Sequence, residues 1–334
     1  MTQDIDISCR RVPDKYAKEY LQHAAGLKLA SSTTKTYESH LRGYVTFLHD
    51  DNTSVLEATF TDVLEFVEKC VRLGNRRSTI EGKVTTISEL YKYIRLRTEE
   101  GDDLQLEPLR VENIDISRYQ TPEPIKREAL SREELRRLFD AFDSYRNRLM
   151  AVVAVETGLR NSDLRELKIT DIDFDCLRIH VSDPKGSKPY DVPISDELVY
   201  ELEFWLRHHR TGYARSDESP YVFPSQCGLK LETNGSFNQI VRDAAEQAGL
   251  QEVVGESQIQ RNDGSMLEKD TRQWHRVTPH TLRHSFITLL ADSGVEVSYR
   301  QLVANHASAE TTRKYTHLTE DRFSTIRDRF VPPR

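Results

Sequence analysis

The residues best suited to chemistry lie in segments far apart in the chain. The TGLR segment at 157–160 supplies Arg160, the HTLR segment at 280–283 supplies Arg283, and Tyr315 follows later. A guanidinium group can hold a phosphate by two parallel hydrogen bonds. A phenol beside an activated phosphodiester can act as a nucleophile. Together these residue types predict cleavage of a nucleic-acid backbone through a phosphotyrosine bond, without a metal ion.

Each of these residues also has an ordinary structural explanation. Tyr315 is one of 14 tyrosines, and most tyrosines simply pack and find a hydrogen-bond partner. Arg160 can be a surface arginine that pairs with Asp163, a pair that contributes little to stability. His280 and His284 have the spacing of a zinc pair, but no glutamate follows His280 and no third ligand is evident. A packing or capping role explains each motif separately but not the whole set.

Length and composition set the broad class. The chain has 334 residues, enough for about two domains of roughly 150 residues each. It is 37% hydrophobic and 30% charged, as expected of a soluble globular protein. No apolar run reaches the roughly 18 residues that span a bilayer, and the N-terminus has no apolar signal core. We therefore expect a cytoplasmic protein with no membrane partner.

The net charge of −7 opposes a nucleic-acid partner, because such proteins are usually basic. Two explanations are open. Either the basic residues cluster on one face, or the acidic surface suits a saline cytoplasm. The four cysteines form no CxxC pair, so neither a disulfide framework nor a cysteine zinc site is expected.

Hydrophobic periodicity divides the chain into three parts. Residues 13–100 have helical spacing and predict a helical domain. Residues 101–128 lose this spacing and contain three prolines, among them Pro122 and Pro124, which predicts an extended linker. In the third part, 129–334, two short apolar runs at 177–181 and 190–194 predict a β-hairpin. Helices are predicted in this part at about 196–209, 235–248, 279–292, 297–304, 308–317 and 319–330.

The order and gaps of the motifs resemble the tyrosine recombinases, the family of phage integrases and the Xer and Cre recombinases. The resemblance implies a mainly α fold with a small β-hairpin or sheet in the catalytic domain. It also implies a two-domain C-clamp, in which a helical core-binding domain is followed by a mixed α+β catalytic domain. The motifs that carry it are TGLRNSDL with Arg160, PKGSK with Lys185, HTLRH with His280 and Arg283, NHASAETT with His306, and RKYTH with Tyr315.

The resemblance assigns a role to each catalytic group. Arg160 and Arg283 clamp the non-bridging oxygens of the scissile phosphate and stabilise the charge that grows in the transition state. Tyr315 attacks phosphorus. Lys185 gives a proton to the leaving 5′-hydroxyl, and it is preferred over its rival Lys188 because it directly precedes the glycine of the turn.

Four further residues complete the predicted site. The resemblance implies that His280 hydrogen-bonds the phosphate or assists proton transfer, and that His306 hydrogen-bonds a phosphate oxygen. Asp163, one helical turn after Arg160, is expected to orient an active-site group. His284 shares a helical face with His280 and is a supporting residue. Neither a metal ion nor any other cofactor is expected.

The implied partner is double-stranded DNA with paired recombination half-sites. A tetramer of the chain on two duplexes is expected, with an accessory directionality factor as a further partner. Arg76, Arg77 and Lys188 are predicted to contact DNA. Three other readings are open: a type IB-like topoisomerase with the same chemistry, a catalytically silent DNA-binding module and a structural helical scaffold. Integration or excision of a mobile element and resolution of replicon dimers are not distinguished.

Two segments have open roles. Residues 251–276 are longer than the usual link into the HxxR motif, and an extra DNA contact, a partner surface and an insertion without function are all compatible with the sequence. The predicted helix at 319–330 carries Phe323, Ile326 and Phe330 on one face. This stripe either packs on its own domain or, as the resemblance implies, docks on a neighbouring subunit.

Overall fold

The computed structural model describes residues 12–27, 31–125, 128–182, 184, 189–260 and 266–297. The chain forms two compact units. It passes from the first unit to the second after Ile125, returns to the first for Gly255–Trp274, and continues in the second from His275. None of the helices in the described ranges has the length and apolar character needed to span a membrane.

The described part of the first unit is built mainly from helices. Thr59 and Asp62 form a capping box at the start of the third helix, which satisfies backbone donors that a helix end leaves unpaired. In the core, the hydroxyls of Tyr44 and Tyr91 lie 2.9 Å apart, and Tyr91 donates to the carbonyl of Val55 at 3.0 Å. The helices are α1 (Lys15–Gly26), α2 (Ser31–Asp50), α3 (Phe60–Arg72), α4 (Arg77–Arg97) and α5 (Pro108–Glu112).

The prediction of an extended connection over 101–128 is wrong for its first part. Short 3₁₀ helices at Glu99–Asp103 and Ile116–Arg118 flank α5. Pro108 occupies the first helical turn, where a missing N–H is tolerated and proline is favoured. Leu104, Leu106, Val111 and Ile116 are buried in the core of the first unit. The segment is therefore part of the unit rather than a spacer, because its apolar residues, although not periodic, are buried.

The described part of the second unit combines helices with a small antiparallel sheet of strand order β1-β2-β3. This confirms the predicted mainly α fold and the hairpin. The predicted helix at 196–209 becomes α-helix followed by a π-helical turn at Trp205–His209, and the predicted helices at 297–304, 308–317 and 319–330 lie outside the described residues. The elements are α6 (Arg132–Asp140), α7 (Tyr145–Thr157), α8 (Asn161–Glu166), β1 (Ile172–Asp173), β2 (Arg178–Val181), β3 (Tyr190–Pro193), α9 (Asp196–Phe204), α10 (Asn234–Gln247) and α11 (Pro279–Asp292).

Helix α7 is the centre of the second unit. All of its residues from Leu149 to Thr157 are buried, as expected of a helix that is apolar on every side. Helix α11 packs against it, with Leu282, Phe286 and Leu290 in the same core. Buried apolar contacts between α7 and α11 therefore hold the TGLR segment close to the HTLR segment.

A two-stranded sheet, the β4–β5 ribbon, occupies most of the long link before α11. It consists of β4 (Val253–Gln260) and β5 (Met266–His275). The residues 261–265, which join the two strands and include the sequence Asn-Asp-Gly at 262–264 from which a hairpin turn is predicted, lie outside the described residues. The ribbon residues Gly255–Trp274 group with the first unit although the flanking chain belongs to the second. No local pattern in the sequence indicates that these residues would belong to the first unit.

Candidate active site

Gly158 ends helix α7 and brings it close to α11. Its φ of 62° is left-handed, a conformation that glycine adopts without the penalty of a Cβ. A Cβ at this position would lie 2.3 Å from Cδ1 of Phe286 on α11. The glycine of TGLR is therefore required twice, once for the turn and once for the contact between helices.

Arg160 lies two residues after Gly158 and is the N-cap residue of α8. Its Nη1 lies 3.7 Å from Oδ2 of Asp163, whose side chain is only 3% exposed. Ser162 donates to Oδ1 of the same carboxylate at 3.0 Å. Burial raises the pKa of Asp163, while the hydrogen bond from Ser162 and the charges of Arg160 and Arg283 lower it. The predicted link between Arg160 and Asp163 is present in the structure.

Arg283 reaches the same place from α11. It is buried, and its Nη1 donates a hydrogen bond to the carbonyl of Gly158. Burial lowers the pKa of its guanidinium, and the positive charge of Arg160 lowers it further, while Tyr190 and Asp163 raise it. The structure thus brings Arg160, Asp163 and Arg283 together around the end of α7.

The first turn of α11 adds imidazole groups. Thr278 caps the helix in a box with Thr281, and Pro279 occupies its first turn, as the sequence predicts. His280 and His284 are exposed while Arg283 between them is buried. The surface of α11 beside the buried arginine therefore offers imidazoles to a ligand in solvent.

The β2–β3 pair frames the segment that contains Lys185 and Lys188. Val181 is the register partner of Tyr190, so the segment 182–189 begins and ends at paired strands. Below this pair, Nδ1 of His180 lies 2.5 Å from Oδ1 of Asp191. The two lysines themselves lie outside the described residues, as do His306 and Tyr315.

Three residues near this site were not singled out by the sequence. The phenol of Tyr190 raises the pKa of the Arg283 guanidinium. The hydroxyl of Ser195, the N-cap of α9, donates to the buried carboxylate of Glu156 at 2.9 Å. Ser195 follows β3 and Glu156 precedes TGLR, so this bond links the hairpin to the end of α7. Glu156 directly precedes the motif, but its burial depends on Ser195, 39 positions away.

The predicted DNA contacts Arg76 and Arg77 have different environments. Arg77 pairs with Glu81 at 2.7 Å, whereas Cζ of Arg76 lies 5.3 Å from the ring centroid of Trp274. Arg77 is exposed and Arg76 is partly buried. Whether either residue contacts DNA stays a prediction.

Comparison with known protein families decides the class. A model of the phage integrase family matches residues 128–322, more than half of the chain. The chain belongs to the phage integrase family. A model of the phage integrase N-terminal SAM-like domain also matches residues 17–98.

Relatives of this phage integrase family member extend over most of its length. It is 28% identical over 283 residues to the tyrosine recombinase XerA of Pyrococcus furiosus, covering 84% of this chain and 83% of the relative. It is 25% identical over 329 residues to the tyrosine recombinase XerD of Oceanobacillus iheyensis, covering 95% and 99%. With the family match, these relatives identify the chain as an enzyme of the tyrosine-type site-specific recombinases.

Solved structures agree on the fold. The Tn1549 transposon integrase in complex with transposon right end DNA superimposes with a TM-score of 0.64 at 18% identity, covering 96% of this chain and 98% of the other. The XerH site-specific recombinase bound to palindromic difH substrate, in a post-cleavage complex, superimposes with a TM-score of 0.61 at 22% identity, covering 95% and 91%. The fold of this integrase family member is therefore that of two-domain tyrosine recombinases.

Proposed function

We propose that this protein cleaves and rejoins strands of double-stranded DNA through a covalent 3′-phosphotyrosine bond formed by Tyr315. The observation that carries the proposal is the convergence of Arg160 and Arg283 at the end of α7. Among the described residues, Arg160 and Arg283 place two cations beside the buried carboxylate of Asp163, close to the surface of α11 that carries His280 and His284. The charge of the two arginines matches a phosphodiester, and it supplies electrostatic stabilisation where a transition state becomes more negative.

The proposed step forms one bond and breaks another. The phenolic oxygen of Tyr315 bonds to phosphorus while His280 accepts its proton, and the bond from phosphorus to the 5′-oxygen breaks. Lys185 gives a proton to that oxygen, which leaves as a 5′-hydroxyl. Arg160 and Arg283 hold the two non-bridging oxygens throughout. Attack by a 5′-hydroxyl on the phosphotyrosine reverses the step and reseals a strand.

The proposed biological role is integration or excision of a mobile element, or resolution of replicon dimers. The similarity to the tyrosine recombinases XerA and XerD and the similarity in fold to a transposon integrase support recombination as the reaction, and both roles remain part of the proposal. The proposed substrate is DNA with paired half-sites, on which four protomers bring two duplexes together. An accessory directionality factor is part of the proposal only for integration and excision.

A covalent-capture experiment tests the chemistry. Sites of covalent attachment are first mapped on genomic DNA, and a nicked duplex that carries such a site is then incubated with the protein and run on a denaturing gel. We expect a covalent band from the wild type and from Tyr200→Phe, an exposed tyrosine on α9 that serves as the control. We expect none from Tyr315→Phe, although it still binds the duplex.

Two outcomes contradict the proposal. A covalent band from the Tyr315→Phe protein means that another residue is the nucleophile. Relaxation of a supercoiled plasmid that contains no mapped site, at the rate seen with a site, means that the protein is a topoisomerase rather than a recombinase.

A further inference from the structure

The β4–β5 ribbon is held on the first unit through the ring of Trp274. The guanidinium carbon of Arg76, from the first unit, lies 5.3 Å from the ring centroid. The guanidinium carbon of Arg272, two residues before Trp274 on β5, lies 4.7 Å from the same centroid. The two cations are therefore no further apart than the sum of these distances. Gly255 on β4 allows the approach, since a Cβ there would lie 3.3 Å from Nη2 of Arg76.

The charge of these two arginines is not balanced within the described residues. The neighbouring Arg72 pairs with Glu68 and Arg77 pairs with Glu81, each on its own helix. Among the described side chains, by contrast, no carboxylate oxygen lies within 4.0 Å of a guanidinium nitrogen of Arg76 or Arg272. In a chain with a net charge of −7, these two arginines therefore place two cations beside one aromatic ring, and no described carboxylate forms an ion pair with either of them.

Stacking on an aromatic ring keeps a guanidinium group suited to binding phosphate. The ring attracts the cation through its face, and the N–H donors lie in the guanidinium plane, at right angles to the direction of that attraction. Of these donors, Nε of Arg76 is buried. Arg272 is exposed and Arg76 is partly exposed. Trp274 thus holds two donor groups in place, which lowers the entropy that an arginine loses when it binds a phosphate.

We infer that Arg76, Trp274 and Arg272 form a binding surface for the phosphate backbone of duplex DNA, separate from the active site. The inference rests on the proposed function only in that the ligand is DNA. The ribbon then has a role in affinity: it adds phosphate contacts of the kind that position a protein on the duplex without reading its sequence. An acidic protein partner is the competing occupant, and binding to DNA alone separates the two.

Salt dependence measures these contacts. The full-length protein is titrated onto a labelled 40-base-pair duplex that contains no mapped recombination site, and the logarithm of the association constant is followed against the logarithm of salt concentration. Each phosphate contact contributes a slope of about 0.9. We expect Arg272→Gln and Arg76→Gln each to reduce the slope by about that amount. Loss of one contact makes the fall in affinity between about 50 and 200 mM salt roughly 3.5-fold smaller.

Matched variants separate binding from packing. Arg110 also stacks on a ring in the first unit, 4.2 Å from the centroid of Phe60, so Arg110→Gln removes the same charge and the same kind of contact elsewhere. We expect the wild-type slope from Arg110→Gln and from Arg272→Lys, which keeps the charge. Melting curves of all variants establish that they are folded.

The inference is overturned if folded Arg272→Gln and Arg76→Gln proteins keep the wild-type slope, whether or not their melting temperatures fall. In that case the stack only anchors the ribbon, or its partner is a protein. Covalent capture by Tyr315 is measured separately. If the wild type gives no covalent band while the arginine variants show a reduced slope, the proposed chemistry is refuted and the DNA surface stands. If the wild type gives the band while the arginine variants keep the wild-type slope, the surface alone is refuted.

Discussion

Replacing Gly158 with alanine tests whether the end of α7 sets the geometry of the site. Two costs add at this position. A left-handed backbone costs a residue with a Cβ about 1–2 kcal/mol. The new methyl group would also lie 2.3 Å and 2.7 Å from two ring carbons of Phe286, and overpacking of this kind costs about 1–3 kcal/mol. We therefore expect Gly158→Ala to lower the free energy of unfolding by about 2–5 kcal/mol.

Gly294 provides the matched control. It also has a left-handed backbone, with φ of 73°, but an added Cβ meets nothing within 4 Å. Gly294→Ala should therefore show the backbone cost alone. For a unit of this size, 1 kcal/mol corresponds to about 2–4 °C in melting temperature. We expect scanning calorimetry to show a melting temperature for Gly158→Ala about 2–12 °C below that of Gly294→Ala.

Covalent capture of the nicked duplex completes this test. Relief of the overlap moves either the Phe286 ring or the Gly158 carbonyl that accepts from Arg283, so the spacing of Arg283 and Arg160 changes. We expect capture to slow far more in Gly158→Ala than in Gly294→Ala. Equal melting temperatures and equal rates for the two variants would refute the argument that close contact with Phe286 positions the arginines.

Three further predictions concern the site and the assembly. Burial raises the pKa of Asp163, so its ionisation costs stability as pH rises through the folded-state value. Asp163→Asn should therefore have a higher melting temperature than the wild type at pH 8, and this difference should disappear toward pH 4. The variant should also cleave DNA more slowly. A higher melting temperature that persists at pH 4 would contradict the prediction. Lys185→Ala should slow cleavage about 10²–10⁴-fold, far more than Lys188→Ala, and a 5′-phosphorothiolate substrate should restore the rate, because its leaving group needs no proton; failure of rescue excludes Lys185 as the general acid. Deletion of 319–334 should leave a folded protein that fills one half-site but not two cooperatively in band-shift titrations; unchanged cooperativity would show that this segment does not link subunits.

The sequence predicts elements that depend on neighbouring residues. The hairpin was predicted from two β-branched runs around a turn, and it forms β2 and β3. The capping box of Ser131 and Glu134 likewise starts α6. Local signals of this kind depend on hydrogen bonds between residues only three or four positions apart. The site residues Arg160, Asp163 and Arg283 were found because motif spacing, not local structure, points to them.

The features that the sequence does not predict depend on contacts between distant positions. Tyr190 was seen only as a strand residue, because its interaction with Arg283 exists only after α11 packs on α7. The association of Trp274 with Arg76 joins residues that are far apart in the sequence. In the segment after α4, burial of Leu104 and Leu106 follows from tertiary packing, which overrides weak local preference.

The hydrogen bond from Arg283 to the Gly158 carbonyl joins residues 125 positions apart. This separation determines when, during synthesis of the chain, Arg160 and Arg283 can come together. During synthesis, the half that contains Arg160 emerges while α11 is still to be made. A chain that stops before α11 has Arg160 but lacks Arg283, the imidazoles of α11 and Tyr315. On the proposed chemistry such a chain cannot break a strand, so the ability to cleave DNA arises only after α11 and Tyr315 have been synthesised.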